Sequence, residues 1–419
     1  MEMNNQKANH LALKRLLNSE PVLKDIRHAY EVIPEMKKNT IFHAGPPIAY
    51  SRMCGPMKGA CIGALLYEAI AKNVEEAVKI LERDEINFDS NHDYQLVNGM
   101  TGLITYSMPL LVVENKSFGN LAFSQLHEGM GKTLRFGSYD EATIERLQWF
   151  ENTFGPALKK ALHVTGEIPL KPIIAEALLR GDECHNRNMA ATSIFFEKIA
   201  RALVKTDVAK KDISDILEFI ASDTQFFVTI AMAACKVSLD SASGIPGSSM
   251  VTAYSRNGVE VGIKVSGTDN KWFVAPAPKI EGLFFPGYSE KDACPDLGDS
   301  AITEVGGLGA FAMAASPAIV NLVGKGVSEA ISITEEMYEI TLDEHPVYRI
   351  PFLDFRGTPT GIDIIKVIES GISPVCNTAI AHREIGYGMI GAGLLRIPME
   401  CFEKGLISLS RELDSNRKE

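Results

Sequence analysis

A chain of 419 residues, 46% of them apolar, is long enough for two or three domains with real cores. Its net charge of -11, with no Lys/Arg run beyond a few residues, argues against nucleic acid as a partner. The opening "MEMNNQKANHLALKRLL" has no apolar signal core, and the seven scattered cysteines include no C-x-x-C pair. A soluble cytoplasmic protein is expected, with no membrane partner, disulfide framework or structural zinc site.

The first 40 residues read as helix, with apolar positions at helical spacing in "HLALKRLL" and "VLKDIRHAYEVI". Residues 43 to 60, "HAGPPIAYSRMCGPMKGA", are glycine- and proline-rich and run into the helical pattern "IGALLYEAIAKNVEEAVKILER". Gly45, Gly55 and Gly59 allow close backbone approach, and a helix start with Arg52 and Lys58 nearby suits a phosphate or carboxylate. The segment is neither a Walker loop nor G-x-G-x-x-G, and a rigid interdomain turn is the structural alternative. "PLLVVE" reads as a buried strand.

From Asp140 to about Leu239 nearly everything is helix-periodic. Within this block, "GDECHNRNMAAT" packs Asp182, Glu183, Cys184, His185, Asn186 and Arg187 between two apolar helical runs. Gly181 should end one helix and the cluster should lie near the start of the next, where Asn186 and Arg187 can help hold an anion. Alternatively Asp182 or Asn186 caps that helix and Arg187 is solvated.

"SSMVTAYSRNGVEVGIKVSG" is two alternating runs joined by Asn257-Gly258, a strong hairpin signal. Further strands are expected in "KWFVAPA", "YEITL" and "VYRIPFL", a glycine-rich loop feeding a buried helix in "VGGLGAFAMAASPAIVNLVG", and closing helices in "GIDIIKVIESG" and around "GYGMIGAGLLRIP". No clean βαβ series is evident. The expectation is a mixed α/β (α+β) fold of two α/β lobes with a largely helical domain between them. Its divisions are residues 1–139, with the glycine-rich anion loop, 140–240, the helical domain, and 241–419, the C-terminal lobe.

Three more polar segments are candidates for the site. Thr268, Asp269, Asn270 and Trp272 could orient a small polar ligand, or mark a hairpin-to-loop transition. Asp296, Asp299, Ser300 and Glu304 could bind a metal or ammonium group, or cap helices. Asn377, Thr378, His382 and Arg383, interleaved with small residues, suit a backbone packed against a ligand or another subunit. His43, His92, His127, His185 and His382 show no H-E-x-x-H or helically spaced pair, so neither a metal nor a cofactor is expected. A cysteine nucleophile with His185 or His382 as base is the remaining local alternative.

Together, "HAGPPI…MCGPMKGA…GALLYE", "GDECHNRN", "GDSAITEVGGLGAFAMAASPAIV" and the segment from Gly371 to Gly393 resemble the YlbE/YahG-type family, long catalogued as a domain of unknown function. That family includes the AllG subunit of oxamate carbamoyltransferase, from anaerobic allantoin degradation. Members commonly carry Trp soon after "HAGPPI", where this chain has Ala49 and Tyr50. The resemblance implies carbamoyl transfer between phosphate and oxamate, within a complex of companion subunits; a homo-oligomer is also expected. Under that reading Arg52, Lys58 and the glycine-rich helix start, with His43, Gly45 and Gly55, would take the phosphate. Arg187 or Arg383 would take a carboxylate, and His185 or His382 would polarise the carbonyl or manage the amide proton. Asn186, Asp269, Asn270 and Asn377 would line the small-molecule site. The alternatives are a non-catalytic assembly or metabolite-binding subunit, and a metal-dependent amidohydrolase using Cys184, His185, Asp296 and Asp299.

Overall fold

The structure, a computed structural model, describes residues 2–34, 36–324 and 326–415. It is a mixed α/β fold in which several small sheets are covered by helices. Helix α1 (Glu2–Leu17) buries Ala12, Leu13 and Leu16. The next segment corrects the helical expectation: Pro21–His28 is strand β1, followed by the single turn α2 (Ala29–Val32). A register shift between Leu23 and Asp25 explains the misreading. The extra residue puts buried Val22, Leu23 and Ile26 at a helix-like spacing although the backbone is extended.

Strand β2 (Thr40–His43), helices α3 (Gly55–Tyr67) and α4 (Val74–Glu82), and strand β3 (Asn87–Ser90) form a βαβ unit in which β2 and β3 pair in parallel. No such unit was legible in the sequence, because both strands are only four residues long. The single long helix expected there is two. Asn73 accepts the Glu76 N–H at 2.9 Å while the Glu76 carboxylate takes the Lys72 N–H at 2.8 Å, so a new helix is capped in mid-pattern. Strand β4 (Pro109–Asn115), as expected, pairs antiparallel with β1 and with β5 (Leu121–Gln125). With β6 (Ile168–Pro169) the order is β5-β4-β1-β6.

The helical stretch is real: α5 (Glu141–Trp149), a π-turn at Phe150–Phe154, α6 (Gly155–Thr165), α7 (Lys171–Leu179), α8 (Met189–Leu203), α9 (Lys210–Ser222) and α10 (Val228–Asp240). Helix α10 is buried from Val228 to Leu239. Its residues share one apolar core with α1, β1 and the C-terminal sheets.

The Asn257-Gly258 hairpin forms as expected between β7 (Val251–Asn257) and β8 (Glu260–Val265), extended by β9 (Phe273–Pro276). Strand β10 (Glu281–Phe284) belongs to another sheet, and β11 (Leu297–Gly298) flanks β7. The apolar run after Val305 corrects the buried-helix expectation. Between α11 (Ile302–Val305) and α12 (Val320–Val323) it is mainly a buried 3-10 stretch, Gly309–Ala315. Helix α13 (Val327–Met337), strands β12 (Thr341–Ile350) and β13 (Arg356–Ile362) and helix α14 (Ile364–Ser370) follow. Strands β14 (Val375–Ala381) and β15 (Met389–Arg396) and helix α15 (Met399–Ser415) close the described chain. Strand β15 replaces the helix expected around "GYGMIGAGLLRIP". Gly391 and Gly393 are there for close strand approach: a Cβ on either would lie 2.2 Å from a β10 carbonyl oxygen. Among the described residues no helix is long and apolar enough to cross a membrane.

His345, on β12, shows what this burial does to titration. Its Nδ1 accepts the N–H groups of Val347 and Tyr348 at 3.1 and 2.9 Å. Burial first, then Lys171 and Arg349, lowers it from 6.5 to about 3. Below pH 6.5 the unfolded chain takes a proton that the folded chain refuses. The stability this residue contributes is therefore complete above that value and is lost progressively as pH falls toward about 3. His345→Asn keeps an acceptor near Nδ1, so the acid limb of its melting-temperature profile should be flatter than the parent's over that window. Parallel limbs would contradict the assignment.

Candidate functional site

Strand β7 is buried along its whole length, and it carries a charged residue, Arg256, with no exposed surface. The Arg256 Nε donates to both Asp296 oxygens at 3.0 Å, and its Nη2 donates to the Thr378 hydroxyl at 3.0 Å. The Tyr254 hydroxyl donates to the same carboxylate at 2.9 Å. Burial alone would lower the guanidinium, but the Asp296 charge outweighs it and raises Arg256 above its ordinary value. Nη1 has no hydrogen-bond partner among the described residues.

One residue along β7, Ser255 donates its hydroxyl to Asp299. Asp299 also accepts from the Asn91 amide at 2.7 Å, the Asn98 N–H at 3.0 Å and the Gly45 N–H at 3.4 Å. It thereby ties the loops after β2 and β3 to the hairpin. Gly45 is fixed there by sterics, with φ +89 and a virtual Cβ 2.5 Å from the Asn257 Cβ and 2.6 Å from its N. Gly45→Ala should cost about 2–4 kcal/mol, from the left-handed backbone and the overpacking together. Urea denaturation would measure it, and a neutral result would show that the loop can move aside.

The "GDECHNRN" cluster joins this centre through Glu304 and the Asn377–Thr378 segment. Gly181 follows α7 with φ +91, as expected of a helix-ending glycine. The His185 Nδ1 lies 2.8 Å from the Glu304 Oε1, which also accepts the N–H groups of Ala310 and Asn377 at 3.1 Å. Burial would raise Glu304, but His185 and these donors hold it below its ordinary value. Glu183 accepts the N–H of His185 at 2.9 Å and of Arg187 at 2.6 Å, and burial beside Glu304 pushes it up to about 8. Asp182 accepts the Ala191 N–H at 2.9 Å, which is the capping role. Arg187 is partly exposed, donates to the Gly181 carbonyl at 3.1 Å and lies 3.5 Å from Asp182.

His185, Glu304 and Cys376 bring ligand-type atoms within 4.8 Å of one another, the one such group among the described residues. The Glu304 oxygens are already committed: Oε1 has three donors, and the Thr303 hydroxyl donates to Oε2 at 3.0 Å. A metal would have to break that network, so the donor set fits a positioned histidine better than a metal centre.

These contacts close into a ring. From Asp299 it runs through Asn98 to Gln125, whose Oε1 accepts the Asn98 amide at 2.8 Å. Two residues on, His127 pairs with Asp223, and Asp223 accepts the Gln225 N–H at 3.0 Å. The Gln225 side chain donates to the Asn186 carbonyl, next to His185. Glu304, Asn377, Thr378 and Arg256 return it to Ser255. Buried polar atoms along the ring lack hydrogen-bond partners among the described residues: Gln125 Nε2, His127 Nε2, Asn186 Nδ2, both amide atoms of Asn377, and Arg256 Nη1. Unpaired buried groups are costly, and such a concentration fits a bound polar molecule.

The sequence candidates thus fall in three places. His43, Gly45, His185, Asn186 and Asn377 lie on or beside the ring. The His43 Nδ1 faces the Ala44 carbonyl at 2.8 Å, and burial lowers its basicity. Arg52, Gly55, Lys58, His382 and Arg383 form an outer group at the head of α3. There Arg52 pairs with Glu260 at 2.6 Å, and a Cβ on Gly55 would lie 2.1 Å from the Arg383 carbonyl oxygen. The Lys58 Nζ donates to the Ser51 carbonyl at 3.2 Å, and His382 stacks on Tyr387 at 4.0 Å. Asp269 and Asn270 sit in the turn between β8 and β9, where Asn270 accepts from Lys264 at 2.8 Å. Sequence reading passed over Gln125, Asp223 and Arg256. Only Arg256 carried a signal, the one charged residue of a strand that alternates up to the Asn257-Gly258 turn.

The model of the family "Oxamate carbamoyltransferase subunit AllG" matches residues 86–300, which includes most of the ring. Over 409 residues the chain is 42% identical to the Escherichia coli K12 protein named "Oxamate carbamoyltransferase subunit AllG", covering 97% of this chain and 98% of that one. It is 46% identical over 400 residues to the "Uncharacterized protein YahG" of the same organism, covering 96% and 85%. A crystal structure of a conserved protein of unknown function from Enterococcus faecalis V583 superposes with TM-score 0.96 at 44% identity, covering 97% and 98%. With this fold, these motifs and these full-length matches, the chain belongs to the AllG family.

Proposed function

We propose that this chain is a subunit of an oxamate-carbamoyltransferase-type complex and that the buried ring is where its small carboxylate-amide substrate binds. The observation that carries the reading is the full-length match to the AllG subunit; the unpaired donors of the ring give it chemistry. Oxamate is a planar amide joined to a carboxylate. The free Arg256 Nη1 would meet the carboxylate, and the Asn377 and Asn186 side chains would meet the amide. His185, oriented by Glu304 through Nδ1, would use Nε2 as the base. As the amide nitrogen attacks the carbonyl carbon of carbamoyl phosphate, its proton passes to Nε2, the C–N bond forms and the C–O bond to phosphate breaks. The imidazolium then returns the proton to the departing phosphate. Companion subunits would complete the site, with Arg52, Lys58 and Arg383 on the face nearest the phosphate or a partner.

The test is carbamoyl-phosphate-dependent consumption of oxamate, and phosphorolysis of the carbamoylated product, by the chain alone and with its companion subunits. Activity that requires this chain and fails in His185→Asn supports the reading. An active complex untouched by ring substitutions would move this chain to an assembly role.

A further inference from the structure

We propose that Cys54 and Cys294 are an oxidisable dithiol, a modification site that closes a reversible disulfide between the head of α3 and the segment leading to Asp296. The two cysteines are 240 residues apart but lie over one glycine. A Cβ on Gly258 would be 2.6 Å from the Cys54 sulfur and 3.2 Å from the Cys294 sulfur, so only glycine there leaves room for both. Cys54 is the partly exposed cysteine, and the other six are buried. It occupies the N-cap of α3, a 13-residue helix, and its thiol donates to the Asn257 carbonyl at 3.6 Å. Contact with the Cys294 thiol is the largest influence on Cys54. Together with N–H groups at the helix start and Lys58, it outweighs burial and lowers this thiol, whereas the six other cysteines are raised. A partly exposed thiol whose acidity is raised, with a second thiol beside it, has the arrangement that forms disulfides under mild oxidation.

With a peroxide as oxidant the step balances. The Cys54 thiolate attacks one peroxide oxygen, the O–O bond breaks, and Cys54 becomes a sulfenic acid with loss of hydroxide. The Cys294 sulfur then attacks the Cys54 sulfur, the S–S bond forms, the S–O bond breaks and water leaves. Two thiols are oxidised and one peroxide is reduced to two waters. The bridge would pull on a segment that holds the active centre, because the Gly258 N–H donates to the Asp296 carbonyl at 3.0 Å and Asp296 grips Arg256.

The full-length protein, treated with stoichiometric hydrogen peroxide and then alkylated, should lose two titratable thiols while remaining monomeric on a non-reducing gel. Peptide mapping should find one Cys54–Cys294 crosslink, reversed by dithiothreitol. Cys294→Ser should stop at a Cys54 sulfenic acid trapped by dimedone, and Cys54→Ser should leave Cys294 reduced at the same dose. Circular dichroism melting confirms that each variant is folded, and the parent's map decides alone if one is not. A crosslink between another pair or between chains, oxidation of Cys54 without bridging in the parent, or no preference for Cys54 would overturn the proposal.

Discussion

Replacing Arg256 with methionine should lower the folding stability by about 3–5 kcal/mol, the usual cost of removing one partner of a buried ion pair. The cost arises from what is left behind. Asp296 is fully buried and receives two bonds from the guanidinium, and without them the Tyr254 hydroxyl is its one side-chain donor among the described residues. The Thr378 hydroxyl loses its donor as well. If stranded charge is the cause, Arg256→Met with Asp296→Asn should be more stable than Arg256→Met alone. Urea denaturation of the two single variants and the double variant forms the cycle. A single variant as stable as the parent would mean that the pair is solvated and the centre is not closed. Arg256→Lys separates folding from binding, because lysine keeps the charge but cannot face Asp296 and a substrate carboxylate together. It should hold most of the stability and lose oxamate affinity, read by calorimetry on the assembled complex.

His185→Asn should reduce turnover by about 10²–10⁴-fold, the range of a positioned general base, with the complex still assembled. Asparagine places an amide donor near Nδ1, so the Glu304 contact can survive while Nε2 is gone. Glu304→Gln tests the supporting role. It leaves His185 in place but removes the charge that fixes its tautomer, so kcat should fall with less change in KM, and the pH dependence of kcat should move. A loss of affinity alone, with kcat and its pH profile unchanged, would make the pair a binding device. Normal turnover in His185→Asn would remove it from the chemistry.

The family and its principal motifs were legible in the sequence because they are long contiguous strings: "HAGPPI", "GDECHNRN" and the glycine-rich run from Gly298 each survive as text. The hairpin was legible for a different reason. Asn257-Gly258 encodes a local backbone geometry, and Gly258 adopts φ +77 to make the turn. Where periodicity was the guide, it failed at two strands for physical causes. The bulge in β1 mimics a helical spacing, and the small residues of β15 serve close strand approach rather than a buried helix face.

Composition, charge and motif text determined by themselves the fold class, the family and the gathering of polar residues in "ECHNR". Only the tertiary structure decided which atoms meet. Arg256 finds Asp296 40 residues away and Thr378 122 residues away, and His185 finds Glu304 119 residues away. Nothing local records such pairings, because a buried charge is stabilised by whichever partner the fold delivers to it, and that delivery depends on how strands and loops distant in sequence pack around a single core.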